Sequence, residues 1–365
     1  MNSTPADILS GFKAGDAPRL TDAEAAALLR CGDLTALGQA ANAVRQRLHP
    51  GNIVTFVADR NINYTNICVS RCKFCAFWRD KEDGYVLTKD ELAKKIKETI
   101  EAGGTQILLQ GGLHPDLRLD FYIDLLKFIK SNFDIHVHAF SPPEIIHFAR
   151  LNGMPVRNVI AELRKAGLDS IPGGGAEILS NAVRSLVSPH KCTADEWIAV
   201  MREAHLLGMR TTATMMFGHA ETHSARVEHL RRIRDLQDEM KGFTAFIPWT
   251  FQPGNTALAA EITAAPDESV SVGGFEYLRM LAVSRLYLDN IPNIQASWVT
   301  QGLKIAQVAL FFGANDMGST MMEENVVRAT GLDFRANSAE IVHIIRSAGF
   351  IPARRETLYN LLEIL

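Results

Sequence analysis

The chain has 365 residues, of which 47% are hydrophobic and 22% charged, and its formal net charge is −3. This is the composition of an ordinary globular protein with ample apolar material for a core. The small negative charge gives no electrostatic case for nucleic acid or an anionic membrane surface. No apolar run reaches the ~18 residues of a membrane span, so we expect neither nucleic acid nor membrane as a partner.

The amino-terminal stretch MNSTPADILSGFKAG contains no basic region followed by an apolar one, so the sequence predicts no secretory signal. The chain has 5 cysteines, and an odd count in a long chain argues against a disulfide framework and for a reducing compartment. We therefore expect a cytoplasmic protein.

Residues 1–50 are predicted to form an N-terminal helical layer rather than a separate catalytic unit. Thr21-Asp-Ala-Glu24 has the pattern of a capping box ahead of an alanine-rich helix. A second helix is predicted from about Leu34 to Leu48, and Pro50-Gly51 ends it.

From Ile53 onward, short β-branched or apolar runs alternate with helical patterns, which is typical of βα units and a parallel sheet. Helices are predicted at Lys89–Glu101, after a capping box at Thr88, and up to Leu207, after a capping box at Thr193. A short extra strand is predicted at Ile53–Val57. The predicted repeat strands are Ile62–Ile67, Gln106–Leu109, Ile135–Ala139, Ser170–Ile171, Thr211–Phe217, Thr244–Pro248, Asn293–Ser297 and Ala314–Met317.

These repeats predict an α/β fold, a (β/α)8 TIM-type barrel over residues 51–320, with its site at the carboxyl ends of the strands. Residues 321–365 are predicted to add helices packed on the barrel. Thr320–Gly331 and Ser338–Leu365 carry these helices, and Glu356–Leu365 is expected to be the last of them.

Three cysteines, Cys68, Cys72 and Cys75, follow the first repeat strand in a C-x3-C-x2-C spacing. A structural zinc site needs four ligands, and Cys31 and Cys192 have no nearby pair to complete one. A 4Fe–4S cluster also takes four ligands, typically thiolates, so three local thiolates leave one iron open to a small molecule. Free cysteines are often only small buried hydrophobes, but three within eight residues among aromatic neighbours favour a metal centre.

Glycines and polar residues follow the next strands. Gly111 and Gly112 allow backbone to approach a ligand closely, although a simple turn would explain them too. After strand three, we expect His138, Ser141 and Glu144 to border the cavity. Glu144 could instead only favour the start of the following helix.

After strand four, three consecutive glycines precede Glu177, which could face a polar ligand group or be a solvated residue of a helix start. Met216, at the end of strand five, suits an apolar wall of adenine size. His219 could act as a general acid or base, with a core histidine as the open alternative.

The last strands end in further polar and aromatic residues. Trp298 and Thr300 follow strand seven, while Asn315 and Asp316 lie on strand eight and Ser319 follows it. Asn315 and Asp316 could bind a sugar and Ser319 a carboxylate, although Asp316 could also only organise the turn.

The cysteine spacing, with Phe74 just before the last cysteine, resembles the cluster motif of the radical S-adenosylmethionine (SAM) superfamily. The resemblance implies that SAM chelates the open iron and that the reduced cluster cleaves it to a 5′-deoxyadenosyl radical. It also implies that Gly111 and Gly112 meet the amino group of SAM and that Glu177 contacts its ribose or methionyl part. Phe74 and Met216 are expected beside the cofactor.

Eight stretches carry a closer resemblance, to the menaquinone-precursor (futalosine pathway) branch of this superfamily, over about residues 50–330. They are NYTNICVSRCKFCAFWR, LLQGGLHPDL, HAFSPPEI, LDSIPGGGAEIL, TTATMMFGH, FIPWTFQP, NIQASWVTQG and GANDMGSTMMEENV. Trp78 stands where the family pattern has tyrosine.

The resemblance implies cyclisation of dehypoxanthine futalosine. Hydrogen is taken from the ribose 4′ carbon, and the carbon radical adds to the benzoate ring. One electron and one proton then leave. The candidate bases are His219, Glu144 and Asp316. The expected substrate contacts are Ser141, His138, Trp298, Thr300, Asn315 and Ser319.

An external electron donor such as flavodoxin or ferredoxin is implied as a partner. The resemblance leaves open an aminofutalosine synthase, which would incorporate the adenosyl group, or another enzyme of the branch. A passive iron–sulfur or zinc protein is the rival from another class. The glycine-rich and polar strand ends argue against it, because a metal holder needs only the ligands.

Overall fold

The computed structural model describes residues 4–15, 18–263 and 272–365. Its strands are β1 (Ile53–Val57), β2 (Asp59–Asn63), β3 (Gln106–Gln110), β4 (His136–Ala139), β5 (Ser170–Ile171), β6 (Arg210–Phe217), β7 (Phe243–Thr250), β8 (Asn293–Ile294), β9 (Asp316–Ser319), β10 (Ile351–Arg355) and β11 (Leu361–Ile364). Its helices are α1 (Pro5–Ala14), α2 (Asp22–Leu28), α3 (Leu34–Leu48), α4 (Lys89–Glu101), α5 (Leu119–Asn132), α6 (Pro142–Asn152), α7 (Val156–Ala166), α8 (Asn181–Val187), α9 (Ala194–Leu206), α10 (His223–Met240), α11 (Ala257–Thr263), α12 (Gly274–Tyr287), α13 (Trp298–Ala309) and α14 (Ser338–Ser347), with a 3₁₀ turn at Arg328–Thr330. None of the described helices has both the length and the apolar character of a membrane span.

Strands β2 to β8 form a seven-stranded parallel sheet in chain order. The ring is closed by β9, which bridges to β8 through Gln295 and Asp316 and pairs in parallel with β1. Strand β1 then runs into β2 through Ala58. The predicted (β/α)8 barrel is confirmed, with the first barrel strand bent into two segments that belong to different sheets.

Most predicted elements are confirmed. Strand Ile53–Val57 and helices Leu34–Leu48 and Lys89–Glu101 have the predicted bounds, and the capping boxes at Thr21, Thr88 and Thr193 are all formed. The first repeat strand begins at Asp59 rather than Ile62, because its inward side chains are polar and hid its alternation from the hydrophobic pattern.

The predicted helix Glu356–Leu365 is wrong. Leu361–Ile364 is strand β11, which pairs antiparallel with β10, and β10 pairs in parallel with β1. Leu358, Leu361 and Leu362 suggested one apolar helix face, yet each of these side chains is 40–48% exposed. A short apolar run does not distinguish helix from strand by periodicity alone, and pairing with β10 decides the outcome here.

The predicted helix at Thr320–Gly331 is also wrong, while a helix does begin at Ser338. Met321 has a φ of 45°, in the left-handed region. The Glu324 carboxylate accepts hydrogen bonds from the amides of Val326, Val327 and Arg328, which closes a turn instead of a helix. The proposed boundaries of the three segments stay a prediction.

Candidate active site

A cavity of about 420 Å³ opens at the carboxyl ends of the barrel strands and reaches into the barrel. All three motif cysteines line it. Their loop is held by backbone hydrogen bonds from Cys68 N to Arg79 O at 3.2 Å and from Lys73 N to Val187 O at 2.9 Å. The cysteine loop therefore forms one wall of the cavity, as predicted from its place after the first barrel strand.

The donor set fits an iron–sulfur cluster. Three thiols from one loop line one cavity, and thiolates are the donors that such clusters take. Burial raises the pKa of Cys72 to about 12 and also raises that of Cys75, so both thiols keep their protons until iron displaces them. In the described ranges, no three His, Cys, Asp or Glu side chains lie close enough together to hold a single metal ion, so the fit to a cluster rests on the type and the common location of the three thiols.

Glu144 holds the glycine-rich edge of the site in place. Its buried carboxylate accepts hydrogen bonds from Tyr64 Oη at 2.7 Å, Gly111 N at 3.0 Å, and Ser141 N and Oγ at 2.8 and 2.6 Å. Burial raises the pKa of Glu144 despite these four donors. The bonds to Ser141 form the capping box of α6, so the helix-start interpretation of Glu144 is correct. The same carboxylate also fixes the Gly111 backbone beside the cavity.

Gly112 lies directly against the cysteine loop. A Cβ atom there would lie 2.2 Å from Ile67 O and 2.9 Å from Cys68 Cβ. Gly112→Ala should therefore displace Cys68 and lower the iron bound per chain after anaerobic reconstitution by at least about half. Gly32→Ala is the control, because its Cβ would meet nothing within 4 Å. Equal iron content in the two variants would contradict this account.

Glu177 lies between the buried Arg184 and the half-buried Lys191. Its Oε1 accepts from Lys191 Nζ at 2.9 Å, and its Oε2 lies 3.4 Å from Arg184 Nη1. Lys191 Nζ also lies 5.3 Å from the centroid of the Phe74 ring, which lines the cavity. Two cations and one carboxylate leave one net positive charge beside the cysteine loop. This charge favours an anionic group in the cavity, such as a carboxylate or the thiolates themselves.

His229 supports the segment that follows Glu177. Its buried Nδ1 accepts a hydrogen bond from Leu179 N at 3.0 Å, and burial, with Arg184 nearby, lowers its pKa to about 3. In the unfolded chain the His229 imidazole binds a proton below about pH 6.5, whereas in the folded chain it binds one only below about pH 3. The free energy of unfolding therefore decreases as the pH falls from 6.5 to 3.

Because His229 is protonated only in the unfolded state, we expect it to lower the free energy of unfolding by about 2 kcal/mol when the pH falls from 6.5 to 5. Urea unfolding at both pH values should show a smaller acid loss for His229→Gln than for the wild type. His190→Gln, at an exposed position, should keep the wild-type loss. An unchanged loss in His229→Gln would contradict the prediction.

Most predicted site residues line the cavity. They are Cys68, Cys72, Phe74, Cys75, Gly111, Gly112, His138, Ser141, Glu144, Glu177, Trp298, Thr300 and Ser319.

Four predicted residues lie outside the cavity wall. The buried His219 ring contacts Met216 O through Nε2 at 3.1 Å and accepts from Ala220 N. Met216 belongs to a small apolar cluster with Val187, Phe251 and Leu258, against which Phe74 packs.

The side chains of Asn315 and Asp316 pair with arginines and do not line the cavity. Asn315 Oδ1 accepts from Arg285 Nη2 at 2.7 Å. Asp316 accepts from Arg355 Nε at 2.5 Å and Arg355 Nη2 at 3.0 Å, with both side chains buried. Both residues thus hold the closing strand β9 in the barrel.

The sequence interpretation missed two sets of cavity residues. Asp59, Asn61 and Asn63 alternate along β2 and all line the cavity. Their period of two was a usable signal. Arg355, Thr357 and Tyr359 line it from the end of β10 and the segment that follows, which the wrongly predicted helix had concealed.

These missed residues form a polar floor. Gln106 connects Asp59 with the Thr357 hydroxyl, and Asp59 also accepts a hydrogen bond from Ser319. Gln295 Nε2 donates to Tyr359 Oη at 2.8 Å, and Arg355 stacks on the Tyr359 ring. The carboxyl-terminal segment therefore seals the cavity at the amino ends of the strands.

The fold and the cysteine-lined cavity define a class. The radical SAM superfamily model matches residues 62–233, and the model of the CofH/MqnC C-terminal region matches residues 240–365. The chain belongs to the radical SAM superfamily, so it is an enzyme of a family that uses SAM and an iron–sulfur cluster.

Within that class, the chain is similar to two curated proteins named cyclic dehypoxanthine futalosine synthase. The one from Halalkalibacterium halodurans is 46% identical over 96% of this chain and 94% of its own length, and the one from Streptomyces coelicolor is 44% identical over 95% and 86%. The predicted futalosine branch is confirmed.

Another curated relative has a different name. The 5-amino-6-(D-ribitylamino)uracil–L-tyrosine 4-hydroxyphenyl transferase of Methanopyrus kandleri is 45% identical over 86% of each chain.

Solved structures support the fold. Methylornithine synthase matches with a TM-score of 0.71 and 20% identity over 95% of this chain and 97% of its own. The hydrogenase maturase HydG of Carboxydothermus hydrogenoformans matches with a TM-score of 0.74 and 18% identity over 97% and 80%.

Proposed function

We propose that the chain converts dehypoxanthine futalosine to cyclic dehypoxanthine futalosine. It does so with SAM and a 4Fe–4S cluster held by Cys68, Cys72 and Cys75. The observation that carries this proposal is the 46% identity to a cyclic dehypoxanthine futalosine synthase, which extends over 96% of the chain. The extent matters because the cavity is built from β2 near the start of the barrel to Tyr359 near the end of the chain.

Cys68, Cys72 and Cys75 would hold the cluster, which when bound and reduced would supply the electron for cleavage of SAM to a 5′-deoxyadenosyl radical. The chain's own residues bind, orient and exclude water. Phe77, Trp249 and Trp298 line the cavity as aromatic walls, and such walls protect a carbon radical from side reactions. The positive charge of Lys191 and Arg184, beyond what Glu177 neutralises, lies where the cysteine loop and an anionic cofactor group would meet.

Among the hydroxyl side chains of the predicted substrate contacts, Thr300 is favoured as the donor to the substrate carboxylate. The hydroxyls of Ser141 and Ser319 already donate to Glu144 and Asp59. Thr300 Oγ1 lies 2.9 Å from Ser297 Oγ, and either hydroxyl can be the donor of that bond. When Ser297 donates, the Thr300 proton is free to bind the carboxylate.

We also propose that a low-potential electron donor such as flavodoxin or ferredoxin reduces the cluster. The chain acts in the cytoplasm, because a reduced cluster requires reducing surroundings. Neither nucleic acid nor a membrane enters the proposal.

The experiment is an anaerobic reaction of the reconstituted protein with dithionite, SAM and dehypoxanthine futalosine, followed by mass spectrometry. We expect equal amounts of 5′-deoxyadenosine and a product lighter than the substrate by two hydrogens. A parallel reaction contains tyrosine and 5-amino-6-(D-ribitylamino)uracil, because a transferase of that name is 45% identical to this chain.

Three outcomes would overturn the proposal. Conversion only in the parallel reaction would assign the transferase activity. A product that contains the adenosyl group would point to an aminofutalosine synthase. An intact, reduced cluster that leaves SAM uncleaved would point to a passive iron–sulfur protein.

A further inference from the structure

Two histidines and a serine form a hydrogen-bonded chain at the base of the cavity. His136 and His138 lie two residues apart on β4, and Ser170 on β5 is the register partner of His138. Ser170 Oγ lies 2.7 Å from His138 Nδ1 and 2.7 Å from His136 Nε2. One hydroxyl thus connects the two imidazole rings.

The two histidines at the ends of this hydrogen-bonded series lie in different surroundings. His138 lines the cavity, and its Nε2 has no hydrogen-bond partner among the residues that the structure describes. His136 is half-buried at the amino end of its strand, where Asp169, Lys130 and Glu356 act on it electrostatically. The connection therefore leads from the cavity toward the outside of the barrel.

A hydroxyl between two imidazoles can relay a proton. Ser170 can accept from Nδ1–H of His138 while it donates to Nε2 of His136. A proton that binds His138 Nε2 then releases the Nδ1 proton to Ser170. Ser170 passes its own proton to His136, which loses one from Nδ1 to solvent. Every atom keeps its valence, and both rings end in the other tautomer.

We propose that His138 Nε2 is the base that takes the proton from the substrate ring, and that Ser170 and His136 carry it out of the barrel. This inference rests on the proposed function. After the carbon–carbon bond forms, the ring radical loses one proton to His138. It loses one electron to an acceptor of the iron–sulfur or flavin class, and aromaticity returns.

The other candidate bases are engaged elsewhere. His219 does not line the cavity, Asp316 is bound by Arg355, and Glu144 already accepts four hydrogen bonds. Burial, with His136 and Arg355 nearby, lowers the pKa of His138 to about 3. The ring is therefore neutral and able to accept, but it cannot retain the proton, which is why an outlet through Ser170 is needed.

The test measures the molar ratio of cyclic product to 5′-deoxyadenosine. His138→Ala should still cleave SAM, but the ratio should fall roughly 100-fold. Added imidazole should restore part of it, because the small base fits the space left by the side chain. His205→Gln is the matched control. This buried ring also contacts a hydroxyl, Thr211 Oγ1 at 2.8 Å, but it lies outside the cavity wall, so the ratio should stay at the wild-type value.

The pH dependence of the same product ratio tests the relay through Ser170 and His136. Protonation of His136 blocks it, so the wild-type ratio should fall on acidification below pH 6.5, since the pKa of His136 is lowered from that value by burial. His136→Gln and Ser170→Ala should show a lower ratio, roughly tenfold, and this ratio should no longer depend on pH.

An unchanged ratio in His138→Ala would overturn the inference. So would a parallel loss of SAM cleavage and product without rescue by imidazole, which indicates a structural role. If His138→Ala does not fold, the product ratio of His138→Gln tests the role of His138 as the base. A wild-type pH dependence of the ratio in both His136→Gln and Ser170→Ala would exclude the proton relay. Failure of the proposed function is separate, because the wild type itself would then form no cyclic product, and the inference would fall with it.

Discussion

Cys72→Ala should bind no intact iron–sulfur cluster and should cleave no measurable SAM. Cys72 is the most buried of the three motif cysteines, and its Sγ has Ser70 Oγ at 3.2 Å as its neighbour. With three thiolates in the loop, no spare ligand replaces a lost one. Loss of a direct ligand should cost more than the ~10–100-fold that loss of an outer hydrogen-bond partner costs. Iron and sulfide content, visible absorbance and 5′-deoxyadenosine release measure the effect.

Cys31→Ala is the matched control for this variant. Cys31 is a half-buried free cysteine just after α2, and it does not line the cavity. Its removal should leave iron content and SAM cleavage at wild-type values. Wild-type absorbance and activity in Cys72→Ala would contradict the assignment of the cluster to the motif.

Arg355→Met should lower the free energy of unfolding by about 3–5 kcal/mol. The substitution leaves the Asp316 carboxylate buried without its bidentate partner, and both side chains of the pair are at most 3% exposed. Because Asp316 lies on β9 and Arg355 on β10, the change also loosens the strand that closes the barrel. Urea unfolding measures the stability, and the rate of cyclic product formation should fall as well, since Arg355 lines the cavity.

An exposed pair of the same type gives the comparison. Arg335 contacts Asp333 through two bonds of 3.0 Å, but the side chains are 67% and 48% exposed. Arg335→Met should cost only about 0–1 kcal/mol. Equal stability losses in the two variants would show that burial of the Asp316 pair does not determine its importance.

The barrel was predictable because most of its strands are apolar runs bounded by turns, with capped helices between them. Strand β2 was shifted because its inward residues, Asp59, Asn61 and Asn63, are polar and line a cavity instead of a core. The carboxyl-terminal helix failed because β11 exists through pairing with β10, a partner that local periodicity does not reveal.

The site residues likewise differ in whether the sequence predicts them. The cysteine ligands were predictable because three neighbours in sequence form one local loop. Arg355 and Tyr359 were not, since only long-range pairing brings them under the cavity. Met216 lies at the end of β6 and His219 just after it, as expected, but this strand end packs into the apolar cluster behind Phe74 rather than facing the cavity.

The seal formed by Arg355, Thr357 and Tyr359 has a consequence for biosynthesis. Strand β10 pairs with β1, from Ile53 opposite Ile351 onward, so the first and last parts of the barrel meet. A nascent chain on the ribosome therefore carries every cluster ligand long before its reaction chamber has a floor. The chamber is completed only after Tyr359 leaves the exit tunnel, so a premature stop codon ahead of Arg355 would yield a protein with the cysteine loop and an unfinished interior.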